Sequence, residues 1–143
     1  MAISKIRVLL VDDHAVVRNG VRLMLSTADD IEVAGEAGNA QEAMRIVQEY
    51  SFDVALVDVA MPGRNGFELL KLLRAEQPKL AVLMLSMYSE EIYAVRALEY
   101  GAAGYLTKNS PITTLIAGIR KAVRSVPRAG MTRPAIADSS LHF

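Results

Sequence analysis

Five short apolar runs, each followed by a polar residue and most by an amphipathic stretch, set the tightest limit on what this chain can fold into. Ile6-Arg7-Val8-Leu9-Leu10-Val11 is β-branched and nearly all apolar, as a strand covered on both faces must be. Comparable strands are expected over residues 31–37, over 53–57 ending on Asp58, over 80–85 ending at Ser86, and over 103–106 with Lys108 just beyond. Helical periodicity fills the gaps. Val17, Val21, Met24 and Leu25 mark a helix over roughly 14–26. Ala43, Ile46 and Val47 mark a second, for which Asn39 can cap and Glu42, three residues on, completes a capping box. Phe67, Leu69, Leu70, Leu72 and Leu73 form a third, after a turn-rich loop at 61–66. A fourth covers 90–100 and stops at Gly101, the residue type favoured just past a helix end. The last covers 111–124, with Ser110 as cap and proline in the first turn. Strands alternating with helices predict a doubly wound α/β sandwich of three layers, with five helices around a five-stranded parallel sheet. Residues 1–125 form that domain; 126–143, broken by Pro127, Gly130 and Pro134, read as a tail or the start of a linker.

Composition narrows the function. Sixteen basic and sixteen acidic residues cancel, so the backbone-neutralising charge of a DNA-binding domain is missing, and Arg120, Lys121 and Arg124 read as a solvated helix face. With no cysteine, disulfides, zinc-thiolate sites and thiol catalysis are excluded. No apolar run approaches the ~18 residues of a membrane span, and Asp12 and Asp13 end the first run too early for a signal-peptide core. A cytoplasmic protein is the default expectation.

In an open parallel sheet, ligands bind at the carboxyl ends of the strands. That edge should gather Asp12 and Asp13 from the first strand, Asp58 from the third, Ser86 from the fourth and Lys108 from beyond the fifth. Three carboxylates in one pocket repel one another and raise each other's pKa. A divalent cation removes the conflict, and carboxylate, carbonyl and water oxygens suit magnesium, for which manganese can substitute. Three acids with no histidine or thiol expected nearby argue against zinc. With Lys108 as a second positive charge, the pocket suits an incoming phosphoryl group. Asp58, alone at the tip of the central strand, is the best placed nucleophile, and the Ser86 hydroxyl can hydrogen-bond a phosphoryl oxygen.

Asp12-Asp13, Asp58-Val59-Ala60-Met61-Pro62-Gly63, Ser86 and Tyr105-Leu106-Thr107-Lys108, in that order, resemble the receiver domains of two-component response regulators. The resemblance covers about residues 5 to 125. It implies the flavodoxin-like strand order 2-1-3-4-5, Asp58 as phosphoacceptor, and a sensor histidine kinase as donor. It also implies that Asp13 and Asp58 bind magnesium directly, that Asp12 acts largely through water, and that the Ala60 backbone carbonyl is a further ligand. Lys108 would pair with the phosphoryl group, and Ser86 and Tyr105 would be the switch pair. Val11-Asp12-Asp13-His14, Arg18, Gly20 and residues 101–108 look like the NarL/FixJ (LuxR-type) class, whose members usually bind DNA through a C-terminal helix-turn-helix and often form homodimers on phosphorylation. No such domain fits in this chain, which is expected to be a piece of a transcription regulator or, alternatively, a stand-alone receiver acting as phosphate shuttle or interaction switch. Asn109 stands where many receivers carry proline after the lysine, so that bond's geometry does not carry over.

Other readings of the same residues are weaker. Asp12 and Asp13 alone would pass as helix caps, His14 as a helix-start residue beside the site, and Met84 and Met87 as core and loop. A phosphatase of the haloacid-dehalogenase type wants an acid where Ala60 stands. A flavin or nucleotide module wants a glycine- or serine-rich loop where Asp12 and Asp13 stand.

Overall fold

The computed structural model describes residues 4–60, 65–87 and 91–126. Strands β1 (Ile6–Val11), β2 (Ile31–Ala37), β3 (Val54–Asp58), β4 (Ala81–Ser86) and β5 (Gly104–Thr107) alternate with helices α1 (Ala15–Leu25), α2 (Ala40–Glu49), α3 (Gly66–Glu76), α4 (Glu91–Glu99) and α5 (Ile112–Arg124). The strands pair in the order β2-β1-β3-β4-β5, all parallel, with β3 at the centre. The expected fold is therefore the observed one.

Alternate residues of each strand feed two separate cores, which is why the runs are apolar throughout. Leu9, Val11, Ala55, Val57, Val82 and Met84 pack with Ala43, Val47, Leu69, Leu70 and Leu73 of α2 and α3. Val8, Leu10, Val54, Leu56, Leu83 and Leu85 pack with Leu25 of α1 and with Leu115, Ile119 and Ala122 of α5. The central strands β3 and β4 are thus buried throughout, while the edge strands β2 and β5 are half-buried.

Local signals mostly act as the sequence suggests. The Asn39 side chain accepts from the Glu42 N–H at 2.8 Å. The Glu42 carboxylate, however, reaches the N–H of Gly38 at 2.9 Å, one residue before the cap that a capping box would bond. Gly101 has φ +95, the left-handed geometry that ends α4.

Two expectations need correction. Gly66 is not loop but the first residue of α3, because the Asn65 side chain caps the Glu68 N–H at 3.0 Å. Ser110 does not cap α5: Pro111 takes that position, and its carbonyl accepts from Thr114 and Leu115 at 3.0 and 3.1 Å. Pro111 is held at φ -58 and ψ 151, outside the helical region, so it cannot be the first helical residue. The Ser110 hydroxyl instead meets the Thr107 hydroxyl at 3.1 Å. The expectations for 61–64, Glu90 and the tail from 127 onward lie outside the described residues. The Lys108–Asn109 peptide is trans. No helix among the described residues is long and apolar enough to cross a membrane.

Candidate functional site

Parallel pairing with β3 in the middle brings the carboxyl ends of β1, β3 and β4 side by side: Val11 is level with Val57, and Asp58 is level with Leu85. The next residue of each strand is polar. Asp12, Asp58 and Ser86 are the only buried polar or charged residues among those described, with 6%, 3% and 2% of their surfaces exposed. Ionisable groups at that depth cost free energy unless partnered, so their clustering marks a functional edge.

Lys108 supplies the partner. Its backbone N–H donates to the Ser86 carbonyl at 2.7 Å, which ties the segment after β5 to the end of β4. Its Nζ then donates to Asp12 Oδ2 at 2.8 Å and lies 3.1 Å from Asp58 Oδ1. Asp58 Oδ1 also accepts from the Ala60 N–H at 3.2 Å. Asp58 Oδ2 and Asp13 Oδ1 are buried without any hydrogen-bond partner. One ammonium thus faces two of three neighbouring carboxylates. Burial, then the nearby Asp12 charge, raises the Asp58 pKa above the ordinary carboxylate value, and the Lys108 contact only partly offsets them. Burial pushes Lys108 down, but hydrogen bonds and charge from Asp12 and Asp58 outweigh it and leave its pKa raised.

His14 sits at the rim. Its N–H donates to Asp12 Oδ1 at 2.9 Å, and its Nδ1 is 3.1 Å from both Asp12 Oδ1 and Asp13 Oδ1. One ligand atom from each of Asp12, Asp13, His14 and Asp58 fits within a 4.8 Å cluster, so the expectation of acids without a nearby histidine is corrected: the start of α1 carries the ring to them. Arg18 braces the group from behind. Its Nη1 donates to the Asp12 carbonyl while its Nε donates to Glu36 Oε1 at 3.0 Å.

A cavity of about 310 Å³ lies beside Asp58, Ser86 and Lys108, and Asn65, Phe67, Tyr93 and Arg96 are among its other lining residues. Tyr105 does not line it. It is half-buried, level with Met84 and packed against the core under α3 and α4. Every other expected site residue that is described, Ala60 included, reaches the acidic cluster or the cavity beside it.

Sequence reasoning had used Arg18 only as a mark of the family resemblance and had given no part to Asn65 or Arg96. Asn65 was legible as a cap, with Glu68 three residues on. Arg96 was not, because its place on the cavity wall depends on how α4 packs.

The family comparisons agree with this geometry. The model of the response regulator receiver domain matches residues 8–120. The response regulator GacA of Pseudomonas viridiflava is 38% identical over 115 residues, which cover 80% of this chain and 54% of that protein. The transcriptional regulatory protein MctR of Rhizobium johnstonii is 40% identical over the same shares. The chain spans about half the length of the curated relatives it matches. Among solved structures, the signal receiver domain of the putative response regulator NarL from Mycobacterium tuberculosis superposes with TM-score 0.80 at 33% identity, covering 85% of this chain and 98% of that one. A LuxR-family two-component response regulator from Aurantimonas superposes with TM-score 0.81 at 32% identity, covering 86% and 88%. With the buried Asp58 and Lys108 at the end of a 2-1-3-4-5 sheet, these matches settle the family: the chain belongs to the receiver domains of two-component response regulators, signalling proteins rather than classical enzymes.

Proposed function

We propose that Asp58 is the phosphoacceptor of this receiver and that residues 1–125 act as the input half of a longer, cytoplasmic transcription regulator. The observation that carries this reading is the pairing of a buried carboxylate with Lys108 at 3.1 Å, both of them lining one cavity. The donor is the phosphohistidine of a sensor histidine kinase. The Asp58 carboxylate attacks phosphorus in line, the P–N bond breaks, and the imidazole leaves with the electron pair. Lys108 keeps a fixed positive charge beside the oxygens that gain charge, already in place before transfer. Ser86, buried at the end of β4, offers its hydroxyl to a phosphoryl oxygen.

The donor set fits magnesium. Asp13 Oδ1 and Asp58 Oδ2 are buried oxygens without hydrogen-bond partners, and carboxylate oxygens suit a hard cation. Asp13 and Asp58 would hold it directly, Asp12 through water, and the Ala60 carbonyl would complete the protein ligands. When bound, the ion supplies the positive charge that three carboxylates lack. The His14 ring stands at the rim of this cluster, 3.1 Å from Asp12 Oδ1 and Asp13 Oδ1.

Phosphorylation then favours one of two conformations, because the new group contacts Ser86 and Lys108 better in one of them. Tyr105, two pairs along β5 from the Ser86 level, is the residue whose ring follows the Ser86 hydroxyl inward. The change is expected at the α4–β5–α5 surface, where it would control dimerisation and an output domain that binds DNA.

The test is phosphorylation by acetyl phosphate with magnesium, read by intact mass. The parent chain should gain one phosphoryl group and Asp58→Asn none. Equal labelling of the two would end the assignment.

A further inference from the structure

The cavity beside Asp58 is much larger than a phosphoryl group needs. At about 310 Å³ it could take roughly ten water volumes. Lys108, Ser86 and Asp58 line it together with Arg96, and Val59, Phe67, Met87 and Tyr93 supply its apolar wall. Phe67 and Tyr93 stack with centroids 6.2 Å apart and planes at 27°, an aromatic part of that wall. The Arg96 guanidinium lies 5.9 Å from the Phe67 centroid, which holds it over the ring. Arg96 has no carboxylate partner among the described residues, unlike Arg7, Arg18, Arg22, Arg45 and Arg120. A basic residue in the last turn of α4 would also favour the helix dipole, but that role does not require it to line the cavity.

We infer that Arg96 is a specificity-determining residue for small phosphodonors, selecting acyl phosphates whose far end carries a second anionic group. The inference rests on the reading of Asp58 as phosphoacceptor. The donor's phosphoryl group lies at Lys108, its apolar body on Phe67 and Tyr93, and its distal carboxylate on the guanidinium. Asp58 attacks phosphorus, and the P–O bond to the acyl carbon's oxygen breaks. The carboxylate leaves with that electron pair, and no proton transfer or co-reactant is needed.

Benzoyl phosphate and its para-carboxy derivative are the probes, with acetyl phosphate as reference, and labelling of Asp58 is followed by mass at several donor concentrations with magnesium. The carboxylated donor should reach half-saturation at a concentration about threefold lower than benzoyl phosphate, as a partly exposed ion pair allows. The preference should shrink as salt is raised. Arg96→Ala should abolish it and Arg96→Lys should keep part of it, each read as the ratio of the two aryl donors within one variant. A preference that survives in Arg96→Ala, or its absence in the parent, would overturn the inference while leaving Asp58 as acceptor. Failure of both aryl donors with acetyl phosphate still active would also overturn it. Failure of all three donors would bring down the phosphoacceptor reading itself, and this inference with it.

Discussion

Gly66 packs directly against Asp58: a Cβ built on Gly66 would sit 2.2 Å from the Asp58 carbonyl oxygen and 2.9 Å from the Val59 Cα. The Gly66 N–H donates to the Val59 carbonyl at 2.9 Å, so the start of α3 is locked onto the end of β3. The need for glycine here is space. Gly66 is helical and has no positive φ.

Gly66→Ala therefore sets two effects against each other. Alanine gains about 1 kcal/mol of helix propensity over glycine. Overpacking against backbone that cannot rotate away costs about 3 kcal/mol or more. The clash should win, lowering stability by about 2 kcal/mol in urea titrations. Because the oxygen that must move belongs to Asp58, phosphoryl uptake should slow as well. An unchanged urea midpoint would show that α3 is not seated this tightly.

Lys108→Met keeps most of the side-chain volume and removes the charge between Asp12 and Asp58. Breaking a buried ion pair typically costs about 3 kcal/mol, since the partner charges are left uncompensated. That loss should appear near neutral pH without metal and diminish on acidification, as protonation relieves the carboxylates. A loss under about 1 kcal/mol at neutral pH, the value of a surface pair, would mean that Lys108 does not hold the cluster together.

The contrast between Gly66 and Lys108 shows what the sequence could display. Lys108 was legible because a parallel sheet gathers the carboxyl ends of its strands, so strand order alone places it beside Asp12 and Asp58. The strands themselves were legible because burial on both faces demands uninterrupted apolar runs. Gly66 looked like a loop residue, since a glycine after Pro62 and Gly63 reads as a turn and nothing local reports an approach to Asp58. Ser110 looked like a cap because serine commonly is one, while the proline that follows took the position through its fixed φ. Arg96 was invisible for a third reason: which residue of α4 faces the cavity depends on how the Phe67–Tyr93 stack seats that helix.

The two asparagine caps separate stability from function. Asn39 and Asn65 make the same bond, accepting from an N–H three residues on at 2.8 and 3.0 Å. Alanine at either should cost about 1 kcal/mol in thermal or urea unfolding. Only Asn65 lines the cavity next to Asp58, so only Asn65→Ala should also slow labelling by acetyl phosphate. Equal labelling rates for both variants would confine Asn65 to capping.

Asp58 should make the metal-free protein less stable as pH rises. Its folded pKa is raised by burial and by Asp12, so the native state holds this proton more tightly than the unfolded chain does. Where the native state binds more protons, unfolding free energy falls with increasing pH. The penalty is absent below the ordinary carboxylate pKa, grows as pH passes from that value to the raised one, and is constant above. Asp58→Asn removes the charge and keeps the shape. In chelator, thermal unfolding from about pH 4 to about pH 8 should show the variant more stable than the parent at the neutral end, with the gap closing toward the acid end. Millimolar magnesium should reverse the order, because an ion that binds the native state stabilises it in proportion to its affinity, and the parent has the extra carboxylate ligand. A variant less stable than the parent at neutral pH in chelator would mean that Lys108 already outweighs burial and the Asp12 charge at Asp58.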